Sequence, residues 1–251
     1  VMGVIDNRFT TEFQVPSWDC GPSGRMFPVA MLRYFQEGAV LHSDAVDGVF
    51  DRVFDHGLFW AMTGMKMTMG VLPMRGEKVS VTTWHAGGNR LLFYRAYKAS
   101  GEDGRVLASG VSTWVLVNGD TRRMVRASAL PVALPESELG AEHEGLVPER
   151  LGEMGELEGG ISWLAGFRDL DTNGHVNNVR YAEWVLETLP EEMLLNRQLT
   201  SLELEFKSEL RLGDEARSVG SPSDTPHVYD HAVLKDDGTL ACRARSGWNA
   251  A

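Results

Sequence analysis

The sequence predicts an α+β fold built twice over, each half a helix packed on an antiparallel sheet. Three observations predict it. After the first forty or so residues, the spacing of apolar residues changes from helical to alternating. A stretch rich in Pro, Glu and Gly then interrupts the chain from Pro131 to Gly160. Beyond it, the same order of strand, turn, helix and strands begins again.

In the first half, Phe9 to Val15 alternates well enough for a strand, and Asp19-Cys-Gly-Pro-Ser-Gly24 supplies a turn. Pro28 suits the first turn of a helix, and Val29, Leu32, Phe35 and Ala39 recur near helical spacing. A helix is expected from there to about His42, weakened in its last turn by Gly38. Strands follow at Leu58 to Val71, Gly76 to Trp84, Leu91 to Ala99 and Val106 to Val117. Gly87-Gly88 and Gly101-Glu-Asp-Gly104 make turns between them. Pro131, Pro135 and Pro148 among many Glu and Gly read as an exposed linker. The domains are therefore placed at 1–134 and 161–251, with 135–160 between. In the second half, strands are expected at Ile161 to Phe167, Leu199 to Lys207, Glu215 to Val219, Val228 to Leu234 and Leu240 to Trp248. A helix from Val176 to Leu189 stops at Pro190.

The restart can be checked by residue. Ser23 to Glu37 aligns without gaps on Asn173 to Glu187, with Gly24 on Gly174, Val29 on Val179, Glu37 on Glu187 and Tyr34 on Trp184. Further on, Arg75-Gly-Glu77 matches Leu212-Gly-Asp214, and Asp103-Gly with Trp114 matches Asp237-Gly with Trp248. The differences are more informative. The first copy has Gly21, Ser23 and Arg25 where the second has Asp171, Asn173 and His175. A purely structural need for these polar side chains would have been felt twice. Aligning the Gly-acid turns also sets Leu72 opposite Glu209, which adds a second carboxylate to the same copy. Singly, each has a plainer explanation: an Asx turn at Asp171, a helix cap at Asn173, a packed ring at His175, a solvated strand end at Glu209.

Composition narrows the function. A length of 251 residues allows one large domain or two ordinary ones, and 43% hydrophobic with 24% charged residues is a globular balance. The formal net charge of −11 argues against general nucleic-acid binding, which needs a broad basic face. No apolar run is long enough to span a bilayer, and no signal peptide is recognisable. The chain begins at Val1, which points to a removed upstream piece. Two distant cysteines, Cys20 and Cys242, suggest neither a disulfide framework nor a zinc site, so a cytoplasmic setting without metal or cofactor is expected.

Asp169-Leu-Asp-Thr-Asn-Gly-His-Val-Asn-Asn-Val-Arg-Tyr181, followed by Trp184-Val-Leu-Glu187, resembles the signature of acyl-ACP thioesterases. Gly76-Glu-Lys-Val with Thr83-Trp84, and Trp114-Val-Leu-Val-Asn-Gly-Asp-Thr-Arg-Arg-Met124, resemble other stretches of that family. The likeness runs from about Phe9 to Trp248. It implies a tandem double hot-dog fold, each half a long helix wrapped by an antiparallel sheet. It also implies hydrolysis of the thioester between an acyl chain and its carrier protein, releasing a free fatty acid. The family's catalytic residues fall on Asp171, Asn173, His175 and Glu209. Plant members carry a Cys directly after that Glu; here it is Leu210, so no cysteine nucleophile stands there.

Such chemistry needs a water, a base and an oxyanion donor. Glu209 is assigned to activating the water and Asp171 to orienting Asn173 and His175. The backbone N–H groups of a helix beginning at His175 would face the carbonyl oxygen. Direct carboxylate attack stays open. Asn177 and Asn178 are read as structural. Trp60, Met62, Met65, Met67 and Met69 are candidates to line an acyl site in the first domain, with core packing as the plainer role. Arg122, Arg123 and Arg126, the densest basic group, fit either an acidic carrier protein and its phosphopantetheine phosphate or a solvated turn. A homodimer, an acyl-CoA thioesterase and a non-catalytic acyl-binding module stay among the alternatives.

Overall fold

The computed structural model describes every residue except 1–2, 47–48, 132, 153, 156, 158 and 250–251. The chain divides into two compact units, Val1–Val147 and Pro148–Ala251.

In the first unit the elements are β1 (Gly3–Ile5), β2 (Arg8–Gln14), α1 (Pro28–Ala45), α2 (Val49–Asp55), β3 (Leu58–Met69), β4 (Lys78–Gly88), β5 (Leu92–Gly101), β6 (Val106–Asn118) and β7 (Met124–Val125). The strands pair in the order β1-β2-β4-β5-β6-β3, with β7 on β6, and every pairing is antiparallel. Helix α1 is 18 residues long and buries Met31, Phe35, Ala39 and His42 on one side, the spacing of a single helical face. Phe35 stacks on Tyr97 of β5 at 4.8 Å between ring centroids. Gly38, expected to weaken the helix, lies buried within it, and a Cβ there would meet Val81 of β4 at 3.1 Å. Close approach of helix to sheet outweighs a propensity cost of about 1 kcal/mol.

In the second unit the elements are β8 (Ile161–Leu164), α3 (Asn178–Leu186), α4 (Glu191–Asn196), β9 (Leu199–Phe206), β10 (Glu215–Pro222), β11 (Val228–Lys235) and β12 (Leu240–Trp248). The sheet order is β9-β12-β11-β10-β8, again antiparallel throughout. Tyr181 and Trp184 anchor α3: Trp184 stacks on Trp163 at 5.6 Å, and Tyr181 meets Phe206 edge-on at 5.7 Å. Both units are therefore hot-dog folds of the α+β class.

Three expectations need correction. Helix α3 has nine residues and ends at Leu186, not Leu189. The Thr188 hydroxyl donates to the Val185 carbonyl at 2.7 Å and contacts His231, which competes with the helix ladder, and Pro190 then caps α4 instead. The Gly87-Gly88 pair is not the turn; β4 bulges between His85 and Gly88, and Asn89 closes the turn by accepting from the Leu91 and Leu92 N–H groups, both at 2.9 Å. The exposed linker at 135–160 is not one segment either, because residues 135–147 belong to the first unit. His143 is buried there, its Nε2 2.9 Å from the Tyr97 carbonyl, and Trp84 Nε1 donates to the Glu138 carbonyl at 3.1 Å. Buried Leu146 and Leu151 add apolar anchors that a count of Pro, Glu and Gly does not reveal.

Candidate active site

Both units make the same turn before their helix. A single 3-10 turn, at Ser17–Asp19 and at Phe167–Asp169, leads into a loop closed by matching hydrogen bonds. Gly21 N–H donates to the Arg25 carbonyl at 2.9 Å, and Asp171 N–H to the His175 carbonyl at 2.8 Å. Phe27 N–H donates to Asp19 O, and Asn177 N–H to Asp169 O, each at 2.8 Å. Gly24 and Gly174 take φ of 76° and 75°, the left-handed conformation that favours glycine. The Gly-acid turns match as well: Arg25 bridges Met74, and His175 bridges Arg211. Leu72 and Glu209 thus hold equivalent positions, each two residues before its bridge partner.

Within this shared frame the side chains differ. In the first unit Arg25 Nη1 donates to the Leu72 carbonyl at 2.9 Å. In the second, His175 Nε2 lies 3.2 Å from Glu209 Oε2, with 23% and 35% of the two side chains exposed. Glu209 Oε1 accepts from Arg211 Nη2 at 2.7 Å. Asp171 Oδ1 accepts from the N–H of Asn173 at 2.8 Å and of His175 at 3.2 Å, so this carboxylate orders the loop that carries both. The Asn173 residue is exposed.

The oxyanion expectation needs correction. Helix α3 begins at Asn178 rather than His175, capped by Asn177 Oδ1, which accepts from Val179 N–H at 2.9 Å. The N–H groups of Asn173 and His175 are taken by Asp171 Oδ1, that of Gly174 by Asp171 O, that of Val176 by Leu210 O and that of Asn177 by Asp169 O. Backbone donors around His175 are therefore already engaged, whereas the Asn173 residue is exposed.

Supporting residues went unrecognised in the sequence. Buried Asp169 accepts from Arg180 Nε at 2.7 Å, Arg180 Nη2 at 2.6 Å and Gly166 N–H at 2.8 Å, tying loop to helix. Asp19 does the same in the first unit through Arg33 and Tyr34. Tyr181 OH accepts from Leu210 N–H at 3.0 Å, and burial pushes its phenol pKa up. Leu210, in the place of the plant cysteine, is fully buried. Arg211 follows Glu209 by two residues, a signal that was available in the sequence. Among the described residues no group of three His, Cys, Asp or Glu is arranged to hold a metal ion.

The other candidates lie in the first unit. The bulge between Met62 and Gly64 brings Trp60, Met62, Met65, Met67 and Met69 to one face of β3, opposite Leu116, Trp114, Ser112, Gly110 and Ala108 of β6. Met65, Met67 and Met69 are buried, while Trp60 and Met62 are half-buried. Arg122, Arg123 and Arg126 are exposed around the β6–β7 turn, and the Arg122 guanidinium sits 5.0 Å from the Phe59 ring centroid. Cys242 is buried, which pushes its thiol up. No described helix is long and apolar enough to cross a membrane.

Comparison with known proteins gives consistent matches. The acyl-ACP thioesterase N-terminal domain matches residues 6–129, and the acyl-ACP thioesterase C-terminal domain matches 164–250. A chloroplastic dodecanoyl-[acyl-carrier-protein] hydrolase of Cinnamomum camphora is 26% identical, covering 96% of this chain and 67% of that protein. A chloroplastic palmitoyl-acyl carrier protein thioesterase of Gossypium hirsutum is 27% identical over 96% of this chain but 63% of its own length. In structure, an acyl-ACP thioesterase from Bacteroides thetaiotaomicron matches with a TM-score of 0.84 at 20% identity, covering 97% of this chain and 98% of that one. The 12:0-ACP thioesterase from Umbellularia californica matches at 0.82 and 22% identity, over 96% and 94%.

Proposed function

The chain belongs to the acyl-ACP thioesterase family, and from that premise we propose that it hydrolyses the thioester of an acyl chain carried on acyl carrier protein. The observation that carries this reading is the His175–Glu209 pair at 3.2 Å, present only in the copy of the turn that also holds Asp171 and Asn173. The other copy spends the same frame on an arginine bonded to a backbone carbonyl.

In the proposed reaction Glu209 takes a proton from water, and the hydroxide attacks the thioester carbonyl carbon. Asn173 donates its amide to the developing oxyanion. Asp171 holds Asn173 and His175 in place through their backbone N–H groups. Collapse breaks the C–S bond, and the thiolate leaves with the proton that Glu209 received. The products are a free fatty acid and the carrier thiol.

The first unit takes the acyl chain against Trp60, Met62, Met65, Met67 and Met69, where flexible thioethers tolerate a range of chains. Arg122, Arg123 and Arg126 meet the acidic carrier or its phosphate, in a chain whose net charge of −11 would otherwise repel it. A homodimer is the assembly to examine by light scattering. Purified protein offered acyl-carrier and acyl-CoA thioesters of the same chain tests the activity. Faster release from the carrier is expected; turnover of neither substrate rejects hydrolysis, and faster release from CoA rejects the carrier.

A further inference from the structure

The helix-facing side of the first sheet holds a buried cation. Arg95 of β5 is 4% exposed. Its Nη1 donates to His42 Nδ1 at 3.1 Å and to Thr83 Oγ1 at 3.3 Å, and its Nη2 donates to His85 Nε2 at 2.9 Å. Among the described residues no carboxylate pairs with it. A buried cation left without an opposite charge is costly, and a structural arginine is normally met by Asp or Glu.

Proton bookkeeping sharpens this. Arginine only donates, so His42 Nδ1 and His85 Nε2 must accept. Both rings are then neutral, with the proton on the opposite nitrogen. Burial and the adjacent guanidinium hold both imidazoles below their usual range, His42 at about 4. His42 Nε2 thereby becomes a donor, and it is buried without a partner. Three guanidinium hydrogens are donated within the cluster, which leaves Nε–H and the second Nη2 hydrogen of Arg95 for a further acceptor, while His42 Nε2–H is a separate orphaned donor on the far side of its ring.

Strand register says where that group lies. His85, Arg95, Ser112 and Met65 form one row across β4, β5, β6 and β3. Phe93, Trp114 and Met62 form the adjacent row, and Trp60 lies beyond Met62 on the same face. That second row is half-buried, whereas on the other side of the polar row Tyr97 and Met67 are sealed in the core. An acyl chain laid along the aromatic and methionine surface would therefore end against donors rather than against more hydrocarbon.

We infer that Arg95, oriented by His42 and His85, recognises an oxygen acceptor, a carboxylate or hydroxyl, at the far end of an acyl chain held by Trp60, Met62, Phe93 and Trp114. The inference rests on the hydrolase reading above and on the first unit taking the chain. It names polar-ended acyl chains as the preferred substrate class.

The test compares carrier-linked chains of one length ending in methyl, hydroxyl or carboxylate, with wild type and Arg95→Met. Wild type should favour the carboxylate end over the methyl end by at least about tenfold in kcat/KM, the effect of one charge-assisted hydrogen bond. Arg95→Met should reverse that ratio, and His42→Leu should reduce it several-fold and serves if Arg95→Met does not fold. A wild-type ratio near one, or a ratio that neither substitution changes, overturns the inference and leaves the cluster a packing device. Calorimetric titration with free decanedioate and decanoate reads the same discrimination without turnover. Tighter binding of decanedioate, lost with the substitutions, supports the site even where no thioester is cleaved, an outcome that would reject the hydrolase reading alone. Equal affinities, or binding of neither acid, count against the site.

Discussion

Asp171 separates two ways in which the reaction could run. Its Oδ1 accepts from two backbone N–H groups, Asn173 at 2.8 Å and His175 at 3.2 Å. If it acts only by holding that loop, Asp171→Asn keeps the one acceptor oxygen and loses only the charge. A hydrogen bond to a charged acceptor contributes about 1.5–3 kcal/mol and a neutral one about 0.5–1.5, so the change costs roughly 1 kcal/mol per bond. Two bonds give roughly 2 kcal/mol, or at most about 30-fold in kcat/KM. Asp171→Ala removes that oxygen and both bonds, roughly 3–6 kcal/mol, which predicts a loss of about 100-fold or more. Glu209→Gln removes the proposed base and should cost about 100- to 10,000-fold. The assay is initial-rate release of fatty acid from an acyl-carrier substrate, with folding of each variant checked by circular dichroism. An Asp171→Asn protein as inactive as Asp171→Ala, beside an active Glu209→Gln, would refute this division of labour. It would point instead to attack by Asp171 itself through an acyl anhydride.

His231 is buried with Nδ1 3.1 Å from the Thr188 hydroxyl and Nε2 2.8 Å from that of Ser246, and burial lowers its pKa from 6.5 to about 4. Its contribution to stability is complete above 6.5 and is lost as pH falls toward 4, because the unfolded ring takes up the proton first; the loss is roughly 3 kcal/mol. Urea denaturation at about pH 5 and about pH 7 should show a smaller pH dependence for His231→Gln than for wild type, and equal dependence would contradict the assignment. Gly24→Ala and Gly174→Ala should each cost about 1–2 kcal/mol in thermal unfolding, since both sit in the left-handed region, but only Gly174→Ala should also lower kcat. A thiol reagent applied to folded protein should leave buried Cys242 unmodified and the activity intact; inactivation would restore a cysteine to the mechanism.

Alternation and β-branched or aromatic content made nearly every longer strand legible, although β6 is buried along nearly its whole length rather than on one face. Elements decided by tertiary contacts were not. The three-residue strand β1 and the helices α2 and α4 are too short to show a period. The end of α3 depends on Thr188 reaching His231, which lies more than forty residues further along. Residues 135–147 carry the composition of a linker, yet His143 and Leu146 pack into the first unit. In the site, aligning the two Gly-acid turns paired Leu72 with Glu209, and the geometry brings Glu209 to His175. The engagement of the N–H groups around His175 was not legible, because it depends on where Asp171 points its carboxylate and on a helix that begins three residues later.

The two turns suggest why one frame could be duplicated and only one copy carry the proposed site. The backbone bonds that shape the loop are the same in both, as are the left-handed glycine and the buried Asp beneath it. None of these requires the residues at Asp171, Asn173, His175 or Glu209. In the first unit Gly21 offers no side-chain acceptor, so the Arg25 N–H donates to Ser23 Oγ at 3.3 Å, and the Arg25 guanidinium is satisfied by a carbonyl. The second unit sets two acids and an imidazole where glycine, leucine and arginine suffice for folding. Exchanging Arg25 for His should be tolerated by the first unit, whereas Leu72→Glu should destabilise it, because Leu72 is buried and a carboxylate there is desolvated. The converse exchange, His175→Arg with Glu209→Leu, should leave the second unit folded and inactive. Should that double variant unfold instead, the pair would be holding the loop together and its claim to the chemistry would weaken.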